Sequence, residues 1–298
     1  MNRSKTKRKA KKKASSRVIA PAASAPQPSK NATGQSFPIV GVGASAGGLE
    51  AFIQLLKAVP AQLGMAFILV PHLDPSHESA MTELLARVTN LPVMQVSDGM
   101  EVRANHVYII PPNAEMTISG GTLHLTNRKL SRPQMLIDTF FRSLAVDQGT
   151  NAIGVILSGT ATDGTLGLTA IKGEGGITFA QDSASAKYDG MPTSAIAAGC
   201  VDVVLPPGQI PRELARIYHH LTVADRLVEQ SYPPHPEGDH HLGQIFRLLR
   251  QAKKVDFSEY KPATIRRRIM RRLALRRIEE LSDYVIYLKD HREEIDAL

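Results

Sequence analysis

One cysteine in 298 residues, Cys200, leaves no intramolecular disulfide to form and no cysteine cluster to hold zinc, and it suits a reducing, cytoplasmic compartment. No apolar run approaches the roughly 18–20 residues that a membrane-crossing helix needs, so no span is expected. The basic N-terminus has no apolar core behind it, because Val18 to Pro28 is an Ala/Pro/Ser stretch, and this excludes a secretory signal. Acidic residues are missing from residues 1–17, which hold nine Lys/Arg, and from residues 261–277, which hold eight. Together these exceed the net charge of +8, so the rest of the chain is net acidic and the basicity is local. Aromatic residues are absent from residues 1–36, and a basic arm without rings to stack on bases implies no specific nucleic-acid site.

The length exceeds that of one ordinary domain and predicts one full core with a smaller appendage. Residues 1–35 combine charge with Ala, Pro and Ser, cannot bury enough apolar surface to offset ordering, and read as a disordered basic tail. It is either a solubilising extension or an arm for an anionic partner. From 36 to 229 short apolar runs alternate with helix-period segments, which predicts an α/β domain with a doubly wound, mostly parallel sheet and helices on both faces. Strands are expected at Phe37–Val42, Ala66–Val70, Pro92–Val96, His106–Ile110, Ala152–Leu157, Gly176–Ala180 and Val201–Leu205. Helices are expected at Gly47–Ala58, Glu78–Val88, Gln134–Gln148, Leu166–Lys172 and about Ile210–Val228. Gly120-Gly121, between alternating segments in Glu115–Leu125, predicts a small antiparallel hairpin. Residues 230–241, rich in Pro, Gly and His, read as a linker, and 242–298 as an all-helical segment.

In an open parallel sheet ligands bind at the carboxyl ends of the strands, and three of these ends carry reactive residues. The first strand runs into Gly41-Val-Gly-Ala-Ser45-Ala-Gly47-Gly48, the second ends at Val70-Pro71-His72, and a later one runs through Ser158-Gly-Thr-Ala-Thr-Asp163-Gly164. Serine on a glycine-crowded strand-to-helix turn exposes its Oγ and lets backbone N–H groups near Ser45 to Gly47 approach an oxyanion. His72 at the neighbouring strand end can take the serine proton, and Asp163 can orient the imidazole. Each residue also has a plainer reading. The glycines resemble a dinucleotide-binding loop, although Ala46 stands where its third glycine belongs; His72 alone suits a structural histidine, and Asp163-Gly164 a turn that caps the next helix.

These three segments resemble the signature regions of the chemotaxis receptor methylesterase (CheB) family. Ile109-Ile-Pro111-Pro-Asn113, Arg132-Pro133 leading to Phe141-Arg-Ser143, Ala180-Gln-Asp182 and Tyr188-Asp-Gly190-Met-Pro192 match it in the same order. The resemblance covers about Phe37 to Leu205. It implies Ser45 as nucleophile, His72 as base and Asp163 as orienting carboxylate, with Ala46, Gly47, Thr160 and Met191 around the substrate and oxyanion. The substrate it implies is a glutamyl methyl ester on the cytoplasmic helices of methyl-accepting chemotaxis receptors, with glutamine deamidation as related acyl chemistry and no cofactor or metal. Ala46 stands in place of the family's usual Thr, and Thr160-Ala161 in place of Met-Gly. No phosphoacceptor receiver domain precedes the catalytic segment, so regulation by aspartyl phosphorylation is not expected of this chain.

The stretch Asp256-Phe-Ser-Glu-Tyr260-Lys-Pro262-Ala-Thr-Ile-Arg266-Arg-Arg-Ile-Met-Arg271-Arg resembles the N-terminal helical region of chemotaxis receptor methyltransferases (CheR). Arg266, Arg267, Arg268, Arg271, Arg272, Arg276 and Arg277 fall largely on one broad helical face, either a clamp for an acidic receptor helix or a solvated basic surface, and Arg266, Arg267 and Arg271 are the expected receptor contacts. The S-adenosylmethionine-binding half of such an enzyme is not in the chain, so methyl transfer is not expected, and the whole resembles the front of a methylesterase–methyltransferase fusion. Other signalling proteins are expected partners. The rival expectation is a scaffold that keeps the esterase fold and binds receptor without turnover.

Overall fold

The computed structural model describes residues 37–72, 80–127, 135–230, 240–253 and 262–298; the expected basic tail and most of the expected linker lie outside them. The first half contains β1 (Ile39–Ala44), α1 (Gly48–Lys57), β2 (Ala66–Pro71), α2 (Met81–Ala86), β3 (Val93–Gln95), β4 (Met100–Glu101), β5 (Val107–Ile109), β6 (Ala114–Ser119) and β7 (Thr122–Asn127). Next come α3 (Leu136–Gln148), β8 (Ala152–Ile156), α4 (Thr165–Gly173), β9 (Ile177–Gln181), α5 (Gly190–Ala197), β10 (Val203–Leu205) and α6 (Ile210–Gln230). Four helices close the chain: α7 (His240–Lys253), α8 (Pro262–Arg276), α9 (Leu281–Asp290) and α10 (Arg292–Ala297).

Seven parallel strands form one sheet in the order β10-β9-β8-β1-β2-β5-β3. Every residue of β1, β2, β8 and β9 is buried, as a sheet covered on both faces requires. One apolar core joins the sheet to α3, α4 and α5, and a second joins it to α1, α2 and α6. The sheet is therefore doubly wound as expected, and the order reverses at β1, whose neighbours are β2 and β8. The expected hairpin is β6–β7, with Gly120 and Gly121 both at positive φ, and Asp147 of α3 accepts their two N–H groups. β4 adds a third strand that the sequence pattern did not announce, because two residues are too few to show a period.

Gly41 and Gly43 lie inside β1, not in a phosphate-binding turn. A Cβ on Gly41 would stand 2.8 Å from Phe141, and one on Gly43 2.5 Å from Ile137. Gly154 of β8 does the same for Leu168 of α4. These glycines let α3 and α4 settle directly on the sheet.

The C-terminal helices own a separate core of Ile245, Ile269, Leu273, Tyr284 and Leu288. They dock on the α/β domain through α8. Arg216 of α6 donates to Ala274 O at 2.8 Å, Arg268 to Gly173 O at 2.9 Å, and Arg272 to Asp202 at 3.3 Å. The single broad basic face expected for α8 is thus divided: Arg271 and Arg272 are each 8% exposed and turned inward, whereas Arg267 and Arg276 remain exposed. Helical periodicity places residues around an axis but does not say how much of the circumference a neighbouring domain will cover. Gly173 and Thr150, which α8 touches, precede β9 and β8, so this docking is at the opposite end of the strands from the turn after β1.

Candidate functional site

Parallel pairing of β1 with β2 puts Ala44 opposite Pro71, and His72 N–H continues the ladder by donating to Ala44 O at 3.0 Å. Ser45 and His72 are therefore the first residues beyond two paired strand ends, on strands roughly 5 Å apart. His72 Nε2 lies 2.7 Å from Asp163 Oδ2. Asp163, in the loop between β8 and α4, is 3% exposed, and its carboxylate also accepts the N–H groups of Ile137 (3.0 Å) and Asp138 (2.9 Å) in the first turn of α3. Two peptide donors at the positive end of α3 fix its carboxyl group in place.

The turn carrying Ser45 is built against the loop that follows β8. Ser45 N–H donates to Ser158 O at 2.9 Å, and Ser158 Oγ lies 2.9 Å from Ala46 O and 3.2 Å from Tyr188 O. The Ser45 amide is thereby committed, which narrows the expected oxyanion donors to Ala46 and Gly47. Gln181 Oε1 accepts Ser158 N–H at 2.8 Å and fixes the loop from below. Gly47 has φ 74°, and a Cβ there would stand 2.7 Å from Ser158 Oγ, so glycine is required both by conformation and by space. Gly159 separates Ser45 from Met191: a Cβ on it would come within 2.9 Å of Ser45 Cβ and run into Met191 Sδ. Thr160 is exposed beside Gly190. The structure thus brings Ser45, Ala46 and Gly47 close to the Gly159–Thr160 loop, with Met191 buried beneath Gly159 and the His72–Asp163 pair at the neighbouring strand end.

Residues 40–214 match the CheB methylesterase family, well over half of the chain. The chain belongs to that family. Residues 240–298 match the all-alpha domain of CheR methyltransferases, so a CheB domain is followed by a CheR N-terminal domain. A protein-glutamate methylesterase/protein-glutamine glutaminase of Burkholderia orbicola is 38% identical over 60% of this chain and 54% of its own length. A 104.1 kDa protein of Rhodobacter capsulatus is 36% identical over 73% of this chain, which matches 25% of that protein. The chain therefore spans a quarter to about half the length of these relatives. The crystal structure of the Thermotoga maritima CheB methylesterase catalytic domain superimposes with a TM-score of 0.55 at 29% identity, covering 60% of this chain and 98% of that one.

Two residues of this CheB domain that sequence reasoning passed over organise the site. Ser158 and Gln181 lie in segments already matched to the family, but nothing in their spacing tells that one ties three loops together and the other ties its backbone. The three α8 arginines expected to contact a receptor, Arg266, Arg267 and Arg271, are not at this site. Arg271 Nη2 donates to Thr150 O, Arg266 is half-buried, and Arg267 is exposed. Among the described residues, no helix is long and apolar enough to cross a membrane.

Proposed function

We propose that the CheB domain hydrolyses glutamyl methyl esters on the cytoplasmic helices of methyl-accepting chemotaxis receptors through Ser45, His72 and Asp163, and deamidates receptor glutamines by the same acyl chemistry. The observation that carries this reading is the 2.7 Å His72–Asp163 contact one residue beyond the paired ends of β1 and β2, with Ser45 opposite. Because Nε2 faces Asp163, Nδ1 is the nitrogen left for the serine proton.

Ser45 Oγ attacks the ester carbonyl while His72 takes its proton, and the N–H groups of Ala46 and Gly47 at the start of α1 receive the oxyanion. Collapse breaks the C–O bond, and His72 returns the proton to the departing methoxide as methanol. Water then attacks the glutamyl-enzyme with His72 again as base, freeing glutamate and Ser45. Asp163 holds the ring and offsets the imidazolium charge. Such a substrate puts the site of action in the cytoplasm.

Receptor contact on α8 is assigned to Arg267, with Arg266 beside it, since Arg271 is engaged with Thr150. Methanol release from methylated receptor membranes, compared between the wild-type chain and Ser45→Ala, tests the proposal. Release that vanishes with Ser45 supports it; equal release by both proteins rejects it.

A further inference from the structure

Helices α3 and α4 both begin without a cap of their own. Met135 precedes α3 and Gly164 precedes α4, and neither supplies a side-chain hydrogen bond to its helix. The orphan amides are instead satisfied crosswise. Asp163, just before α4, accepts the N–H groups of Ile137 and Asp138 in α3. Asp138, in the first turn of α3, accepts the N–H of Gly167 in the first turn of α4 at 2.6 Å. Each helix thus borrows its capping carboxyl group from the other's segment. Gly167 permits the approach, since a Cβ there would come within 2.5 Å of Phe141 Cβ and 3.2 Å of Asp138 Cα.

The two carboxyl groups differ in surroundings. Asp163 has two peptide donors and the His72 ring. Asp138 is 3% exposed, accepts Gly167 N–H through Oδ1 with the Gly164 N–H also bearing on its carboxyl group, and among the described residues its buried Oδ2 meets no hydrogen-bond geometry. The charged groups bearing on it are Asp163, from the loop before α4, and Arg142, one turn further along α3, with His72 behind Asp163. An ionised carboxylate is expensive in such a place, since one oxygen is unsolvated and a like charge is adjacent.

We propose that Asp138 is a positioning residue of the esterase site: its carboxyl group clips the first turn of α4 to α3 and so holds Asp163 against His72. Burial is the main influence on its acidity and raises its pKa; the neighbouring charge of Asp163 adds to this against the Gly167 N–H, in keeping with the geometry. The inference rests on the esterase reading only for its kinetic consequence, because the clip can be observed without substrate.

The test compares wild type, Asp138→Asn and Asp138→Ala by NMR titration of the His72 imidazole and by methanol release. Asn keeps an oxygen for the Gly167 N–H and carries no charge; Ala removes the clip. Asp138→Asn is expected to keep kcat within about threefold, whereas Asp138→Ala loses roughly 10- to 100-fold in kcat with little change in KM and titrates His72 at lower pH. Wild-type behaviour of Asp138→Ala overturns the clip. A kcat loss of tenfold or more in Asp138→Asn, whose oxygen still receives the Gly167 N–H, also overturns the clip, and this arm decides even if the Ala variant does not fold. Absence of methanol release by wild type would count against the esterase reading alone, since the imidazole titrations still report on Asp138.

Discussion

Arg272 of α8 and Glu294 of α10 meet end to end, Nε to Oε1 and Nη2 to Oε2 at 2.6 Å each, with the glutamate wholly buried. Arg276 donates to the same carboxylate, Tyr284 Oη caps it at 3.0 Å, and Arg272 reaches across to Asp202 of the CheB domain. Removing one member of such a network strands the others in the interior. Glu294→Ala is expected to destabilise the helical unit by about 3–5 kcal/mol. Urea unfolding followed through its tyrosines checks this, and an unchanged midpoint would refute it.

The same carboxylate predicts acid sensitivity. Burial alone would raise the Glu294 pKa, but the hydrogen bonds and charges of Arg272 and Arg276 outweigh it and the net direction is down; Glu213 is lowered chiefly by its bond to Arg216, with Arg277 assisting. Groups depressed below their ordinary value of 4.5 contribute stability fully above that pH and lose it as pH falls toward the folded-state values. The urea midpoint should therefore drop on moving from about pH 6 to about pH 3. Glu294→Gln should show a shallower dependence, and parallel curves for the two proteins would contradict the assignment.

Asp163→Asn should lower kcat by roughly 10³- to 10⁴-fold, because an amide cannot offset the imidazolium charge and its nitrogen favours the wrong histidine tautomer. Burst and steady-state methanol release would measure it. A loss below tenfold would mean that Asp163 mainly caps α3.

Gly47→Ala forces a side chain into a φ of 74° and onto Ser158 Oγ, so activity and stability should fall together, the backbone cost alone being about 1–2 kcal/mol. Gly159→Ala instead wedges between Ser45 and the flexible end of Met191, and should cost kcat more than stability. Thermal unfolding beside methanol release separates the two. Equal loss of stability in both variants would remove the distinction.

Arg267→Glu is expected to weaken sedimentation with receptor membranes, more so at low salt, while leaving unfolding unchanged. Arg271→Ala should do the reverse, because its guanidinium holds Thr150 O across the domain contact. Equal effects of the two substitutions on membrane binding would return the basic face to a single surface.

Alternating apolar runs and helix-period segments were enough by themselves to determine the doubly wound sheet, because central runs such as Ala66–Val70 and Ala152–Leu157 are buried on both faces and need no alternation. Gly120-Gly121 determined its hairpin for an equally local reason, since a Gly-Gly pair takes two successive positive φ angles without strain. Ser45, His72 and Asp163 could be named as candidates because strand ends and the loops that follow them are where a parallel sheet presents side chains. Tertiary structure alone decided what is not local. It committed the Ser45 amide to Ser158, exchanged capping carboxyl groups between Asp138 and Asp163, and turned Arg271 and Arg272 inward. Periodicity fixes which residues share a face of a helix; whether that face meets water, a carboxylate or another domain depends on segments distant in the chain, and this set the roles of these arginines and of Asp138.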